Sequence, residues 1–299
     1  MRRSAWASCI PTTTELPRPQ PLFSRTRAVP PALRGGPLLI AHRGGAGLAP
    51  ENTLAAFRSA AQDWAADMVE LDVRATRDGV CVVIHDETVD RTTNGRGAVA
   101  AQDLGELQAL DAGYHFSPDG GRTFPFRGRG VRVPTFDEVL AALPRTMRFT
   151  VEVKIGSAQP GLAEAIRRHR AEDRVIIAGM HDADRTLFRD YGGTLSASGR
   201  QLSRFWAAHR CYLGSLVPLR AQVVQMCETW QGRRLLTPRL VRDLGRRGIP
   251  VHVWTVNEEA DMHRLLDWGV DGLLSDFPDR LARVLHERVR RPLPPALRA

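Results

Sequence analysis

Between residues 38 and 289, short apolar runs alternate with amphipathic stretches eight times. The strand-like runs are 38–41, 69–73, 149–154, 175–178, 194–197, 222–226, 251–256 and 271–274. Helical periodicity follows at 52–65, 135–143, 161–170, 182–190, 200–209, 238–247, 258–268 and 278–289. A strand followed by a crossover helix buries both faces of a parallel sheet. Eight such units over about 250 residues point to an α/β fold, a (β/α)8 TIM barrel. An open doubly wound sheet would place a glycine fingerprint after its first strand. Here Gly44, Gly45 and Gly47 follow a His-Arg pair instead, so the barrel is the better reading.

One run breaks the alternation. Residues 80–84 follow 69–74 after Ala75-Thr76-Arg77-Asp78-Gly79. That link is too short for a parallel crossover, and Asp-Gly is a hairpin turn signal. The spacing sets Asp72 opposite His85. Residues 86–133 then form a long excursion with Gly and Pro punctuation and apolar Tyr114, Phe116, Phe124 and Phe126. A connection this long is usually functional. It reads as a small insertion over the barrel mouth.

The net charge of +9 suggests a polyanionic partner until it is sorted by position. Residues 1–36 carry +5, residues 287–299 carry +3, and the segment between them carries +1. Residues 1–36 lack periodicity and read as a disordered basic tail, with Val29 as an alternative start. Residues 287–299 read as a loose C-terminal tail, which leaves 37–286 as the barrel domain. Of 42 basic residues, 41 are arginine and one is Lys154. Most of these arginines are ordinary solvated surface, and no nucleic-acid partner is expected. A lone lysine in such a chain marks a position where a compact ammonium is wanted rather than a planar fork. No run has the length of a membrane span, and the start lacks a convincing signal peptide. The expected location is the cytoplasm, with weak membrane contact left open for the basic tails or the apolar insertion. The oligomeric state is not legible. Cys9, Cys81, Cys211 and Cys227 have no metal-binding spacing.

Strand alternation then places the chemistry. In Val69-Glu70-Leu71-Asp72-Val73 the apolar side chains face the surrounding helices, so Glu70 and Asp72 point into the barrel, roughly 6–7 Å apart. Val151-Glu152-Val153-Lys154-Ile155 repeats the pattern with Glu152 and Lys154 inward. Charges inside a barrel are costly unless they are paired or hold a metal. Three carboxylates on neighbouring strands suit a hard divalent cation, Mg²⁺ or Ca²⁺. His42 and His85 end the first strand and the hairpin, where barrel enzymes keep their chemistry. With three carboxylates present, acid–base roles suit the pair better than ligation. Three carboxylates, a divalent cation and a phosphodiester sum to −2, which Arg43 and Lys154 balance. The expected chemistry is metal-assisted displacement at phosphorus. Trp254 is either core or an aromatic wall for the substrate, and His252 is expected as a satisfied barrel histidine.

The runs Ala41-His42-Arg43-Gly44, Pro50-Glu51-Asn52-Thr53, Glu70-Leu71-Asp72-Val73, Thr76-Arg77-Asp78-Gly79, His85-Asp86, Asp90-Arg91-Thr92-Thr93-Asn94-Gly95, Glu152-Val153-Lys154 and Trp254-Thr255-Val256-Asn257 occur in this order. Together they resemble the glycerophosphodiester phosphodiesterase family over residues 38 to about 284. The resemblance implies a TIM barrel with a small insertion, a divalent cation, and a small-molecule glycerophosphodiester cleaved to an alcohol and glycerol 3-phosphate. It places the acid–base pair on His42 and His85, the metal carboxylates on Glu70, Asp72 and Glu152, and phosphate binding on Arg43 and Lys154. Ser275-Asp276 stands where Thr-Asp is commoner. Two rival readings are a lysophospholipase D-type activity, whose acyl chain the insertion's aromatics would meet, and an idle barrel that binds membrane or nucleic acid through its tails.

Overall fold

The computed structural model describes residues 29–298. Eleven strands occur among them: β1 (Leu38–Ala41), β2 (Met68–Ala75), β3 (Cys81–Val83), β4 (Arg148–Val153), β5 (Val175–Ala178), β6 (Thr194–Leu195), β7 (Val224–Cys227), β8 (Thr229–Trp230), β9 (Arg233–Arg234), β10 (Val251–Trp254) and β11 (Gly272–Ser275). Eight are parallel neighbours in the order β6-β5-β4-β2-β1-β11-β10-β7. The ends of that path meet. Ser196 bridges Val223 in parallel. The Ala197 N–H donates to the Val223 carbonyl at 2.9 Å, and the Gln222 N–H donates to the Leu195 carbonyl at 3.0 Å. The expected α/β TIM barrel is therefore the observed fold.

The helices are α1 (Leu54–Gln62), α2 (Leu104–Gln108), α3 (Phe136–Ala142), α4 (Gln159–His169), α5 (Gly199–Arg210), α6 (Pro238–Gly245), α7 (Glu259–Asp267) and α8 (Pro278–Val289). Their starts carry local signals. Thr53, Ser198 and Thr237 accept backbone N–H bonds as N-caps of α1, α5 and α6, and Pro238 opens α6. The helix expected over 182–190 is instead 3-10 turn from Asp182 to Phe188, broken at Arg185. Arg185 is buried and donates to the Ser196 carbonyl, which pulls it out of helical geometry. The short antiparallel pair β8–β9 was not legible in the sequence.

Alternation along the strands sorts two apolar layers. Val69, Leu71, Val73, Phe149, Val151 and Val153 pack outward under the helices. Leu38, Ile40, Met68, Ile176, Val223 and Leu274 fill the barrel floor. Ala32 and Leu33 close that floor from below. They belong to the expected N-terminal tail, so residues 29–36 are part of the barrel, and residues 1–28 lie outside the described residues. The C-terminal end also departs from expectation. Arg291 pairs with Asp67 and donates to the Ala65 carbonyl, and the Ala296 N–H donates to the Asp63 carbonyl at 3.1 Å. Apolar burial at one end and a partly buried ion pair at the other hold segments whose composition alone reads as loose. No helix among the described residues is long and apolar enough to cross a membrane.

Level with the floor residues in strand register, Thr150, Gln225 and His252 form a polar cluster. His252 is fully buried and its Nε2 has no hydrogen-bond partner, so the expected satisfied histidine is only half satisfied. Burial, followed by the nearby Arg148 charge, pushes its pKa down to about 3. Unfolded, it titrates near its ordinary 6.5. The unfolded chain therefore binds the extra proton as pH falls through 6.5, and native stability drops from there toward pH 3. His252→Leu is expected to flatten the melting temperature against pH over that window. An unchanged slope would exclude His252 as its source.

The β2–β3 hairpin pairs Val73 with Val83, Arg74 with Val82 and Ala75 with Cys81. Asp72 thus lies opposite Ile84, whose N–H donates to the Asp72 carbonyl, and not opposite His85. The turn is centred on Asp78 because Thr76 pairs with Val80 at its base, which shifts the register by one residue. The insertion that follows has its own small core of Val82, Ile84, Val89, Val99, Leu107, Ala112 and Val133.

Candidate active site

The strand ends of β1, β2, β4 and β11 and the hairpin's exit converge on one acidic cluster. Glu70 and Asp72 on β2 and Glu152 on β4 are register neighbours, Asp72 lying directly beside Glu152. One oxygen from each of the three lies within 4.8 Å of the others, and Glu70 and Asp72 are buried. Lys154 Nζ sits between Asp72 Oδ1 at 3.0 Å and Glu152 Oε2 at 2.9 Å.

Arg43 follows β1 in a left-handed conformation with φ of 50°. This turns its N–H onto Glu70 Oε2 at 2.9 Å. Its guanidinium reaches Glu51 Oε1 at 2.8 Å and lies 3.5 Å from Asp72 Oδ2. Asn52 is also left-handed, and its amide clasps Asp72: Nδ2 donates to Oδ2 at 2.9 Å, and Oδ1 accepts from the Asp72 N–H at 3.3 Å.

Both histidines are held through Nδ1 by a carboxylate. His42 Nδ1 lies 2.6 Å from Asp276 Oδ1, and His42 Nε2 lies 3.8 Å from Glu70 Oε2. Asn257 Nδ2 in turn holds Asp276 Oδ2 at 2.8 Å. His85 Nδ1 lies 2.6 Å from Asp86 Oδ1. Arg91, from the insertion, donates Nε to Asp86 Oδ2 at 2.6 Å and both Nη groups to Glu51 at 2.6 and 2.8 Å. Asp86, Arg91 and Glu51 therefore link His85 to Arg43.

Burial and like charge set the electrostatics of the cluster. Burial, reinforced by the neighbouring Asp72, pushes Glu70 up to about 7. Burial also acts against Asp72, but Lys154, Arg43 and His85 outweigh it and hold that carboxyl below its ordinary range. Burial disfavours the His42 imidazolium, yet Glu70 and Asp276 overcome it and raise its pKa. Arg91, against burial, holds Glu51 low, with Arg43 assisting. Burial first and the neighbouring Asp72 second raise Glu70, so a cation beside it would be stabilising. An all-oxygen cluster of this kind fits a hard divalent ion, and the residues present match one.

His42, Arg43, Glu70, Asp72, Glu152 and Lys154 thus meet in one place. His85 is near enough for its charge to act on Asp72. Trp254 ends β10 half-buried against the inner floor residues. Glu51, Asn52, Asp86, Arg91, Asn257 and Asp276 occur in the runs quoted from the sequence but carried no assigned role. For Asp86, Asn257 and Asp276 the available signal was a position just beyond a strand end, which Glu51, Asn52 and Arg91 lack. The partners of these residues as a set lie up to 234 residues away, which spacing cannot reveal.

Residues 42–280 match the glycerophosphoryl diester phosphodiesterase family. The chain is 36% identical over 262 residues to a glycerophosphodiester phosphodiesterase of Caldanaerobacter subterraneus subsp. tengcongensis, covering 84% of this chain and 98% of the relative. It is 31% identical over 258 residues to the glycerophosphodiester phosphodiesterase of Bacillus subtilis, covering 83% and 86%. An Oleispira antarctica phosphodiesterase, solved in complex with the product sn-glycerol-3-phosphate, shares the fold with a TM-score of 0.67 and 24% identity, over 84% of this chain and 97% of that one. On the family match and the two relatives, this chain belongs to the glycerophosphoryl diester phosphodiesterase family and is a glycerophosphodiester phosphodiesterase.

Proposed function

We propose that the enzyme hydrolyses a glycerophosphodiester to an alcohol and sn-glycerol 3-phosphate, using one Mg²⁺ or Ca²⁺ ion and a pair of histidines. The observation that carries this reading is the pairing of two carboxylate-anchored histidines with one all-oxygen cluster. Glu70, Asp72 and Glu152 would hold the cation, which when bound polarises a phosphoryl oxygen.

The remaining work falls to the chain's own groups. Asp276 and Asp86 fix Nδ1 of His42 and His85 as the proton-bearing nitrogen, which leaves each Nε2 free for proton transfer. One histidine takes a proton from the attacking water, or from a neighbouring substrate hydroxyl that closes a cyclic phosphate first, which water then opens with the roles of the two histidines reversed. The other gives a proton to the departing alkoxide as the P–O bond breaks. The number of protons on the pair is conserved, so hydrolysis by water leaves the enzyme ready once the pair re-equilibrates with solvent. Arg43 offers forked donors to the phosphate and Lys154 a point charge. Arg43 Nε is buried and faces Asp72 Oδ2 at 3.5 Å, which anchors the guanidinium beside the cluster. Trp254 would form an aromatic side of the pocket.

A lysophospholipase D-type reading would draw on the insertion's aromatics. These are already engaged: the Arg127 guanidinium sits 4.2 Å from the Tyr114 ring centre and 3.7 Å from that of Phe124, and Phe116 packs edge-on against Phe126. A water-soluble diester is the better fit.

The test is glycerophosphocholine turnover, with lysophosphatidylcholine run beside it. EDTA treatment is expected to abolish release of glycerol 3-phosphate, and Mg²⁺ or Ca²⁺ to restore it. Turnover that survives EDTA would remove the metal from the proposal. Faster turnover of lysophosphatidylcholine would replace the substrate class.

A further inference from the structure

Parallel barrel strands set every connecting helix antiparallel to them, so α5 and α6 both end at the barrel floor, on the face opposite the acidic cluster. A groove of about 730 Å³ opens there. One wall is the connection after α5, with Tyr212, Gly214 and Ser215. The other runs along α6 and the turn after it, with Arg239 in its first turn and Arg242, Arg246 and Arg247 towards and beyond its end.

Two of these arginines have structural duties. Arg239 lies 3.8 Å over the Tyr212 ring and donates to the His209 carbonyl. Arg247 donates to the Gly214 and Val217 carbonyls, which ties the connection to α6. Arg242 and Arg246 are exposed, and so are Arg210 and Arg220 at the two ends of the connection. The negative charge lining the groove is Asp243, already paired with Arg246 at 3.3 Å and near Arg239 at 3.7 Å.

The same connection exposes three large apolar side chains in five residues. Tyr212 is 80% exposed, Leu213 51% and Leu216 74%. The 3-10 turn Gly214–Leu216 and the Arg247 bonds fix its backbone, so the leucines are presented by a formed structure. Isolated apolar surface residues need no explanation, but a cluster of them ringed by arginines is the composition that lies at an anionic lipid interface.

We propose that this face docks on an anionic phospholipid surface, with Leu213 and Leu216 entering the headgroup layer and Arg210, Arg220, Arg242 and Arg246 meeting lipid phosphates. Charge selects this occupant. Residues 1–28 carry five arginines and one acid, so the chain's own N-terminal segment repels the patch. A second copy would set arginine against arginine. Docked in this way, the acidic cluster faces away from the membrane, which suits a water-soluble substrate. The docking does not depend on the reaction proposed above and is read without turnover.

The experiment is co-sedimentation of the full chain with sucrose-loaded vesicles of phosphatidylcholine alone, or of phosphatidylcholine mixed with phosphatidylglycerol. Binding is expected on the mixed vesicles only and is expected to weaken with salt. Arg242→Glu with Arg246→Glu is expected to lower the partition coefficient at least tenfold, each arginine near the surface being worth about fivefold. Leu213→Ser with Leu216→Ser is expected to lower it as well. Neither variant should change glycerophosphocholine turnover, and vesicle-bound wild-type protein should keep its turnover. Failure of the wild type to bind mixed vesicles would overturn the proposal. So would binding unchanged in both variants, which would assign it to the N-terminal arginines. A vesicle-free dimer that the leucine variant dissolves would also overturn it, by making this face a contact between copies. Inhibition of turnover on binding would overturn the orientation.

Discussion

His85→Ala is expected to lower kcat for glycerophosphocholine by about 10²–10⁴-fold, the usual span of a general acid–base group. Thermal unfolding should stay close to the parent's, because the His85 side chain is a third exposed and packs in no apolar cluster. The groups behind it predict a graded series. Asp86→Asn keeps the shape but removes the charge that Arg91 holds well below the ordinary carboxylate range, so it should cost less than the loss of the ring itself. Arg91→Gln releases both Asp86 and Glu51, and its effect should divide between kcat, through His85, and KM, through Arg43. Steady-state kinetics on the three variants, with melting curves, tests the series. Parental activity in His85→Ala would end its acid–base assignment. An Arg91→Gln defect confined to melting temperature would reduce that arginine to a structural role.

Asp72→Asn is the second substitution with a large expected effect. Asp72 is 1% exposed and answers to Lys154, Arg43 and Asn52 together. The amide keeps the volume and removes the charge. Activity should fall by at least about 10²–10³-fold, the scale seen when one electrostatic contact at a reacting centre is removed. The Mg²⁺ or Ca²⁺ concentration for half-maximal turnover should rise by at least about 10–100-fold, since even groups that merely orient metal ligands cost that much. Stability should change less than the ~3–5 kcal/mol typical of a broken buried pair. Lys154 keeps Glu152, Arg43 keeps Glu51, and Glu70 loses the neighbour that pushes its pKa up. Metal titrations of turnover and isothermal calorimetry with the cation alone check the two halves separately. An unchanged cation requirement would remove Asp72 from the ligand set.

The parts of this molecule that were legible in the sequence are those set by a period. Alternation over Val69–Val73 and 151–155 was enough to turn Glu70, Asp72, Glu152 and Lys154 into the barrel, because a strand offers only two faces and the helices claim the apolar one. The same logic yielded eight units and the fold. Properties set by contact between distant segments were hidden. Nothing near His42 announces Asp276, and nothing near Glu51 announces Arg91. The hairpin register slipped by one because an Asp-Gly signal marks a turn without saying which residue lies at its centre. Residues 29–36 and 290–298 look loose in composition, but Leu33 finds an open barrel floor and Arg291 finds Asp67. The 182–190 segment has helical spacing, and one buried arginine seeking a carbonyl breaks it. Lys154 was marked by rarity alone. Its place between two carboxylates gives that rarity a physical sense, since a compact ammonium fits between Asp72 and Glu152 where a guanidinium would crowd both.

The Asp86–Arg91–Glu51 chain also bears on how such an enzyme can be re-engineered or can diverge. The insertion is not one exchangeable cassette. Its first stretch, through Arg91, is hydrogen-bonded to His85 by way of Asp86 and to Arg43 by way of Glu51. Its later stretch, from α2 to the Arg127 aromatic cluster, packs on Val82, Ile84 and Val89 in the shared small core. Recombination between relatives should therefore fail with a crossover that separates Arg91 from Glu51, and tolerate one after the first stretch only where the shared small core stays matched. New selectivity at the mouth would be sought by exchanging the distal loop while the proximal one stays with its barrel.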